Sequence, residues 1–219
     1  MNKELQKRVI TSVCLMFLLI LMFFYTYILI ISLIVIAIIA WIEFYALISK
    51  ILWEESFINK ILRFVYKTMS LIYLSSIVYM IIITKSKNMD LEIVIVYSIF
   101  ISVMSDIGGL VIGRVFKGKK LTKISPKKTI SGSLGSFMFS LLLIPFSVNY
   151  LPGYSILTLI FMTLIISLTS QIGDLFISFL KRKAKVKDTS DLLPGHGGVL
   201  DRIDGIIFAI PIGFLIFKI

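Results

Sequence analysis

The residues with the clearest chemical character lie in one short stretch, residues 193–204, which reads LPGHGGVLDRID. It belongs to a longer polar segment, residues 181–204, that carries both positive and negative side chains. The charged residues of this segment are Lys181, Arg182, Lys183, Lys185, Lys187, Arg202, Asp188, Asp191, Asp201 and Asp204. Cationic side chains bind phosphate oxygens, whereas carboxylates bind Mg²⁺, which in turn bridges phosphate oxygens. The segment therefore predicts a site for a phosphate-bearing ligand together with a divalent metal ion.

Glycine and histidine add detail to this site. Pro194 is followed by Gly195, Gly197 and Gly198, a pattern that predicts a tight turn and a close approach of the backbone to a ligand. His196, the single histidine of the chain, has only glycines and a proline around it and so lacks an apolar packing partner. We therefore predict that it contacts the phosphates or the base of the ligand, with a structural role in the loop as the alternative. Zinc is disfavoured, because the chain has one cysteine and no second histidine to complete a nitrogen and sulfur ligand set.

A second basic segment, residues 113–132, contains seven lysines and arginines between Arg114 and Lys128. Glycines between them free backbone N–H groups for phosphate oxygens, and the hydroxyls of Ser125 and Thr129 add directed donors. No Gly-Lys-Ser/Thr sequence of the Walker type is present, so a P-loop is not supported. This composition suits an anionic ligand, and an ordinary positively charged cytoplasmic loop is the alternative.

Two carboxylates, Asp106 and Asp174, lie within or at the ends of apolar runs. A carboxylate there costs several kcal/mol unless it faces water, a cation or a partner. Asp174 also belongs to a stripe of polar residues at helical steps of three and four: Ser167, Gln171, Asp174, Ser178 and Lys181. Both aspartates are therefore candidates for function, with helix packing as the alternative for the serines and glycines on these helices.

The elements that must position these residues are apolar helices. The chain has 219 residues, 58% of them hydrophobic, and a mean hydropathy of +1.00. We predict an all-α, polytopic integral membrane protein with a single domain over residues 1–219 and about seven transmembrane helices. The predicted spans are residues 9–26, 28–48, 65–84, 91–112, 133–149, 155–180 and 203–217. Residues 1–90 are predicted to be mainly structural, and residues 91–219 to carry the catalytic helices and the loops 113–132 and 181–204.

The distribution of positive charge predicts the orientation. The net charge is +11, and the basic clusters precede the first predicted span and follow the second, fourth and sixth. An N-terminus in the cytoplasm places all of these clusters on the cytoplasmic side, as the positive-inside rule requires. The basic excess is therefore explained by loop orientation and by anionic lipid, and nucleic acid is not an expected partner.

The polar residues also carry a family resemblance. The run SFLKR at residues 178–182, Lys187-Asp188 and LPGHGGVLDRID at residues 193–204 resemble the signature of the phosphatidate cytidylyltransferase family, also called CDP-diacylglycerol synthases. The run SQIGD at residues 170–174 extends the similarity, and SPKKT at residues 125–129 resembles a second stretch of that family. Ser131 and Gly205 depart from the pattern, because the family commonly has a glutamate and a serine at these positions.

This resemblance implies a reaction in which CTP and phosphatidic acid give CDP-diacylglycerol and pyrophosphate. It implies Mg²⁺ held by Asp174 and Asp201, a homodimer, and a multi-pass protein of the inner cell membrane whose active site faces the cytoplasm. The residues assigned to catalysis are Asp174, Asp201, Lys181, Arg202 and His196. Those assigned to substrate binding are Asp106, Arg114, Ser125, Lys127, Lys128, Thr129, Ser178, Arg182, Lys187, Asp188, Gly195, Gly197, Gly198 and Asp204.

Two other functions fit some of the same residues. A CTP-dependent polyprenol or dolichol kinase would use the same nucleotide but would transfer its terminal phosphoryl group. A cation-coupled transporter would explain Asp106 and Asp174 within spans, and ion-dependent uptake without nucleotide would distinguish it.

Overall fold

A computed structural model of the protein describes residues 3–87, 89–122, 125, 128–151 and 153–218. Throughout these residues the regular structure is helical and no strand forms, which confirms the predicted all-α class. The helices are α1 (Lys3–Phe24), α2 (Thr26–Ile51), α3 (Phe57–Lys87), α4 (Met89–Phe116), α5 (Ile130–Leu141), α6 (Ile144–Ser147), α7 (Ile156–Lys183), α8 (Leu200–Ile203) and α9 (Ile206–Lys218).

Five helical stretches in the described residues are long and apolar enough to cross a membrane: Thr26–Ile51, Phe57–Lys85, Glu92–Phe116, Ile130–Ser147 and Ile156–Lys183. The chain is therefore a multi-pass membrane protein. A shorter apolar helix, Arg8–Phe24, precedes them, and the predicted boundary between the first two spans coincides with the break at Tyr25. Helix α9 has 13 residues and rises about 20 Å, less than the roughly 30 Å hydrocarbon core. The count of seven spans and the side of the N-terminus stay predictions.

The chain divides into two compact units. Unit 1 consists of Met1–Tyr79 and Leu180–Ile203, and unit 2 consists of Met80–Phe179 and Asp204–Ile219. The segment 181–203, which we predicted to belong with the C-terminal catalytic helices, thus shares a unit with α1 and α2. Helix α7 contributes Asp174 and Ser178 to unit 2 and Lys181 to unit 1.

In unit 1, helix α2 buries one face, on which Ala40, Glu43 and Leu47 follow each other at helical steps of three and four. A contact between α2 and α3 lies nearby: the Trp41 indole N–H donates to the carbonyl of Lys67 at 3.0 Å, and the Lys67 ammonium lies 4.8 Å from the centre of the Tyr45 ring. The buried face of α2 thus contains one carboxylate among apolar side chains.

In unit 2, helices α4 and α5 come close together at glycines. A methyl group added to Gly135 would lie 2.6 Å from the carbonyl oxygen of Gly108, so the glycines permit this backbone approach. Buried hydroxyls connect the helices around this contact, since Ser102 and Ser170 lie 2.7 Å apart and Ser167 donates to Ser105 at 3.1 Å. The buried serines Ser102, Ser105, Ser167 and Ser170 therefore have a packing role, which is the alternative that we gave for the serines on these helices.

Candidate active site

The glycine-rich segment of unit 1 forms the turn that its sequence predicted. Gly195 and Gly197 have φ angles of 77° and 83°, in the left-handed region that favours glycine, and the N–H of Leu193 donates to the carbonyl of Gly197 at 2.9 Å. The Arg202 guanidinium closes the turn from outside, because its Nε donates to the carbonyl of His196 at 2.9 Å. The turn is therefore a defined structure, stabilised by a residue that we had assigned to catalysis.

Asp201 follows this turn in the sequence, and both of its carboxylate oxygens accept hydrogen bonds. Lys181 donates from Nζ to its Oδ1 at 2.5 Å, and its Oδ2 accepts the backbone N–H groups of Thr189 and Gly198 at 2.8 and 3.1 Å. Burial by itself raises the pKa of Asp201, but the hydrogen bond and charge of Lys181 and the two backbone donors outweigh it. The pKa of Asp201 is therefore lowered, and the group is a carboxylate at neutral pH.

This lowered pKa predicts a loss of stability in acid. A carboxylate whose pKa is lower in the folded state stabilises that state above its ordinary pKa and loses this contribution as the pH falls through the folded-state value. In metal-free buffer, we expect the thermal unfolding midpoint of the detergent-solubilised protein to fall below about pH 4. It should fall less in Asp201→Asn, which has no proton to bind at this position. An equal fall in both proteins would show that Asp201 does not contribute.

Glu43 is the functional candidate that we did not predict. Its side chain is buried on α2, at 4% exposure, and both of its oxygens accept hydrogen bonds from the segment 189–200. Oε1 accepts from the Ser190 hydroxyl at 2.6 Å and from the N–H of Val199 at 3.0 Å, whereas Oε2 accepts from the Thr189 hydroxyl and the N–H of Leu200, both at 2.8 Å. A lone carboxylate inside an apolar span was the signal in the sequence that could have identified it.

Gly198 permits this arrangement. A methyl group at its Cα would overlap the Thr189 hydroxyl and lie 2.6 Å from Oε2 of Glu43. Only a residue without a side chain leaves room for the carboxylate and the hydroxyl at this point. We predicted that the glycines let the backbone come close to a ligand. At Gly198 the backbone comes close to the carboxylate of Glu43.

His196 lies in the turn with its ring against α1. Its Nε2 lies 3.3 Å from the Ser12 hydroxyl, and its buried Nδ1 has no hydrogen-bond partner among the described residues. Its neighbour Pro194 accepts a hydrogen bond from Thr11 at 3.1 Å. The predicted contact of His196 with substrate stays a prediction.

Unit 2 contains a second polar group, around Asp174. One of its carboxylate oxygens forms a salt bridge with the ammonium of Lys128, and the other accepts from the Ser178 hydroxyl at 3.3 Å. Asp106 is exposed on α4 and close enough for its charge to interact with those of Asp174 and Lys128. The structure thus brings together three residues that we selected independently, on α4, α7 and the segment that precedes α5.

Thr129 and Ser131 order the start of α5 in the same unit. Thr129 is the N-cap, since its hydroxyl accepts the N–H of Gly132 at 3.0 Å. Ser131, which stands where the resemblance leads us to expect a glutamate, lies 3.0 Å from that hydroxyl and accepts the N–H of Gly118 at 3.2 Å. The side chain of Thr129, predicted to bind substrate, therefore has a structural role as well.

The remaining residues that we assigned to substrate binding differ in their exposure. Arg114, Arg182, Lys187 and Asp188 are exposed, which leaves their side chains accessible to a soluble ligand. Asp204 is buried at 8% exposure, and its Oδ1 accepts the N–H of Gly205 at 2.9 Å. Ser125 accepts the N–H of Lys128 through its carbonyl at 3.0 Å, and Lys127 lies outside the described residues.

The chemistry of Asp174 and Asp201 is compatible with magnesium. Mg²⁺ prefers oxygen ligands and is usually held by one or two carboxylates together with substrate phosphates. In the described residues no group of three or more histidine, cysteine or acidic side chains could hold a metal ion, so a site made by protein alone does not appear there. The donors fit a metal that binds together with a phosphorylated substrate, and the assignment of both aspartates to one ion stays a prediction.

Comparisons with known proteins show which family this chain is similar to. A model of the cytidylyltransferase family matches residues 1–219. A phosphatidate cytidylyltransferase of Rickettsia felis is 44% identical over 113 residues, which are 48% of this chain and 49% of the relative. A protein of the same name from Rickettsia prowazekii is 38% identical over 150 residues, 63% of each chain, and one from Staphylococcus aureus is 40% identical over 121 residues, 54% of this chain and 46% of the relative. Each match covers less than two thirds of the relative's length.

Proposed function

This chain belongs to the cytidylyltransferase family, and from that premise we propose that it transfers the cytidylyl group of CTP to phosphatidic acid. The products would be CDP-diacylglycerol and pyrophosphate. The observation that carries the proposal is the match of the family model over residues 1–219, together with relatives that are named phosphatidate cytidylyltransferase. The hydrogen bonds of Asp201 and the salt bridge of Asp174 support it, because both carboxylates lie next to lysines suited to bind phosphate oxygens.

The proposed step joins two anions. A phosphate oxygen of phosphatidic acid attacks the α-phosphorus of CTP, and the bond from that phosphorus to the oxygen bridging to the β-phosphate breaks, which releases pyrophosphate. The attacking oxygen is already anionic at neutral pH, so the chain needs no general base to activate it. The barrier comes from charge repulsion and from alignment of the reacting groups.

The chain's own residues would reduce this repulsion. Lys128 and Lys181 each neutralise a carboxylate in the described structure, and we propose that both ammonium groups turn to phosphate oxygens when substrate binds. Asp174 and Asp201 would each offer a carboxylate oxygen to Mg²⁺, and the charge of the metal would polarise the α-phosphate and stabilise the departing pyrophosphate. Arg202 would keep the 193–197 turn in place through the carbonyl of His196.

The location of the reaction follows the same proposal. CTP is soluble and phosphatidic acid is a lipid, so their meeting point must lie where helix ends reach the aqueous phase. We propose the cytoplasmic face of the inner cell membrane, with a homodimer as the assembly. Basic residues in both loops support that orientation.

The product distinguishes the proposal from its alternatives. Detergent-purified protein, incubated with phosphatidic acid, Mg²⁺ and CTP labelled in the cytidine, is expected to give lipid-extractable cytidine and pyrophosphate in equal amounts. If a polyprenol replaces phosphatidic acid, phosphorylated polyprenol and CDP would instead identify a lipid kinase. Ion-dependent uptake into vesicles without nucleotide, and no CDP-lipid, would identify a transporter.

Asp174→Asn tests the role of unit 2 in this assay. We expect the variant to lose on the order of 100-fold in rate, because it removes the charge that pairs with Lys128 and that would bind the metal. Its melting temperature in detergent serves as the control for folding. A folded Asp174→Asn protein with normal activity would remove this carboxylate from the mechanism.

A further inference from the structure

Glu43 and Asp201 both accept hydrogen bonds from backbone N–H groups of the segment 189–200. Asp201 accepts the N–H groups of Thr189 and Gly198, and Glu43 accepts the N–H groups of the next two residues, Val199 and Leu200. On the other side of the loop, Thr189 contacts both carboxylates. One buried glutamate on α2 thus holds both parts of the chain that surround Asp201.

Thr189 provides the direct connection. Its Oγ1 lies 2.8 Å from Oε2 of Glu43 and 3.0 Å from Oδ2 of Asp201, while its backbone N–H donates to the same Oδ2 at 2.8 Å. A hydroxyl has one proton to donate, so the two carboxylates share a single donor here. Any displacement of Glu43 therefore changes the position of Thr189 and, with it, two contacts of Asp201.

The location of Glu43 gives its burial a free-energy cost. It lies in an apolar helix that can cross the membrane, where an unpartnered carboxylate is strongly unfavourable. Four donors from residues 189, 190, 199 and 200 compensate for that cost, and they come from a segment about 150 positions away in the chain. An apolar residue at position 43 would avoid the cost but could not order this loop.

We infer that Glu43 is a positioning residue for the proposed cytidylyl transfer: through Thr189 and the Val199–Leu200 backbone it orients the carboxylate of Asp201. This inference rests on the proposed function. Because both of its oxygens already accept hydrogen bonds from the protein, Glu43 would act through Asp201 and not on substrate directly. The N-terminal helices, which we predicted to be mainly structural, thereby contribute to the reaction.

Three variants at Glu43 and Thr189, and one control variant, test this inference. Glu43→Gln keeps the size of the side chain but presents an NH₂ group to two of the four donors. Thr189→Val removes the shared hydroxyl and keeps the backbone donor, whereas Thr189→Ser retains the hydroxyl. Glu54→Gln, an exposed position between α2 and α3, is the matched control.

We expect Glu43→Gln and Thr189→Val each to lower kcat by about 10- to 100-fold, as loss of supporting contacts commonly does. KM for CTP and phosphatidic acid should change much less, because a positioning residue acts on the geometry of the reacting groups. The double variant should be little worse than the poorer single variant, since both changes interrupt the same connection. Thr189→Ser and Glu54→Gln should keep activity close to that of the unmodified protein.

Hydrogen exchange at Val199 and Leu200 gives a second measurement that does not depend on activity. In Glu43→Gln these amides should exchange faster than in the unmodified protein, because their acceptor is impaired. Unchanged exchange would reject the contact itself. Faster exchange with normal kcat, or strictly additive losses in the double variant, would reject the positioning role.

The two proposals fail in different ways. If the unmodified protein makes no CDP-lipid, the proposed function is wrong, and with it the role of Glu43 in that reaction. The exchange measurement would still show whether Glu43 orders the 189–200 segment. If the unmodified protein is active and Glu43→Gln matches it in kcat, only the inference about Glu43 is wrong.

Discussion

Asp201→Asn is expected to lower the rate of CDP-lipid formation by on the order of 10²–10³-fold in a protein that remains folded. Asp201 lies between an ammonium group on Oδ1 and two backbone donors on Oδ2. An asparagine has one oxygen, so its NH₂ group must face either Lys181 or the N–H groups of Thr189 and Gly198. Whichever way it turns, one set of donors loses its acceptor, and the charge beside Lys181 is lost in both cases.

The measurement is the initial rate of lipid-extractable cytidine at saturating CTP and phosphatidic acid, with the melting temperature in detergent as the test of folding. Asp191→Asn is the control, because Asp191 is an exposed carboxylate in the same segment. It should retain nearly full activity. If Asp201→Asn and Asp191→Asn react at equal rates, removal of either negative charge has the same effect. Asp201 would then have no specific role.

Gly198→Ala is expected to disorder the 189–200 segment and to abolish most of the activity. The added methyl group would overlap the Thr189 hydroxyl and crowd both oxygens of Glu43, at 2.6 and 2.8 Å. These groups are held by four hydrogen bonds and cannot move aside independently, so we expect a cost of about 1–3 kcal/mol, as for other overpacked sites. The melting temperature should fall together with the rate.

Gly153→Ala is the matched control for this substitution, because a methyl group there meets no atom within 4 Å. It should melt at the temperature of the unmodified protein and should react at the same rate. The comparison separates the close approach at position 198 from the general effect of replacing glycine. If Gly198→Ala were as stable and active as Gly153→Ala, the segment would have to adopt another arrangement around Glu43.

The membrane class and the α-helical fold could be predicted from the sequence, because both depend on local runs of apolar residues. The break between α1 and α2 at Tyr25 and the multi-pass character agree with the prediction. The predicted span 133–149 overlaps the membrane-length stretch Ile130–Ser147, although the chain turns within it at Leu142 and Leu143, between α5 and α6. Pro145, in the first turn of α6, fits the start of a new helix there.

The candidate residues could also be selected from the sequence, but their partners could not. Asp174 and Lys128 were chosen separately, for a carboxylate within an apolar run and for a lysine in a basic loop, and the structure joins them in a salt bridge. Arg202, selected for phosphate, donates to the backbone of His196. We did not select Glu43 from the sequence, because its four hydrogen-bond donors lie in a segment about 150 residues away.

The sequence by itself determined that this chain lies in a membrane and that its basic residues are concentrated in loops, and the prediction of a phosphate-bearing ligand rests on the same local composition. These properties are sums over neighbouring residues, so they can be evaluated without knowledge of the fold. Only the tertiary structure decided that Glu43 and Asp201 share the hydroxyl of Thr189 and that Gly198 must have no side chain. Hydrogen bonds and close contacts require groups to meet within about 3 Å, and which distant segments come that close depends on the packing of the whole unit.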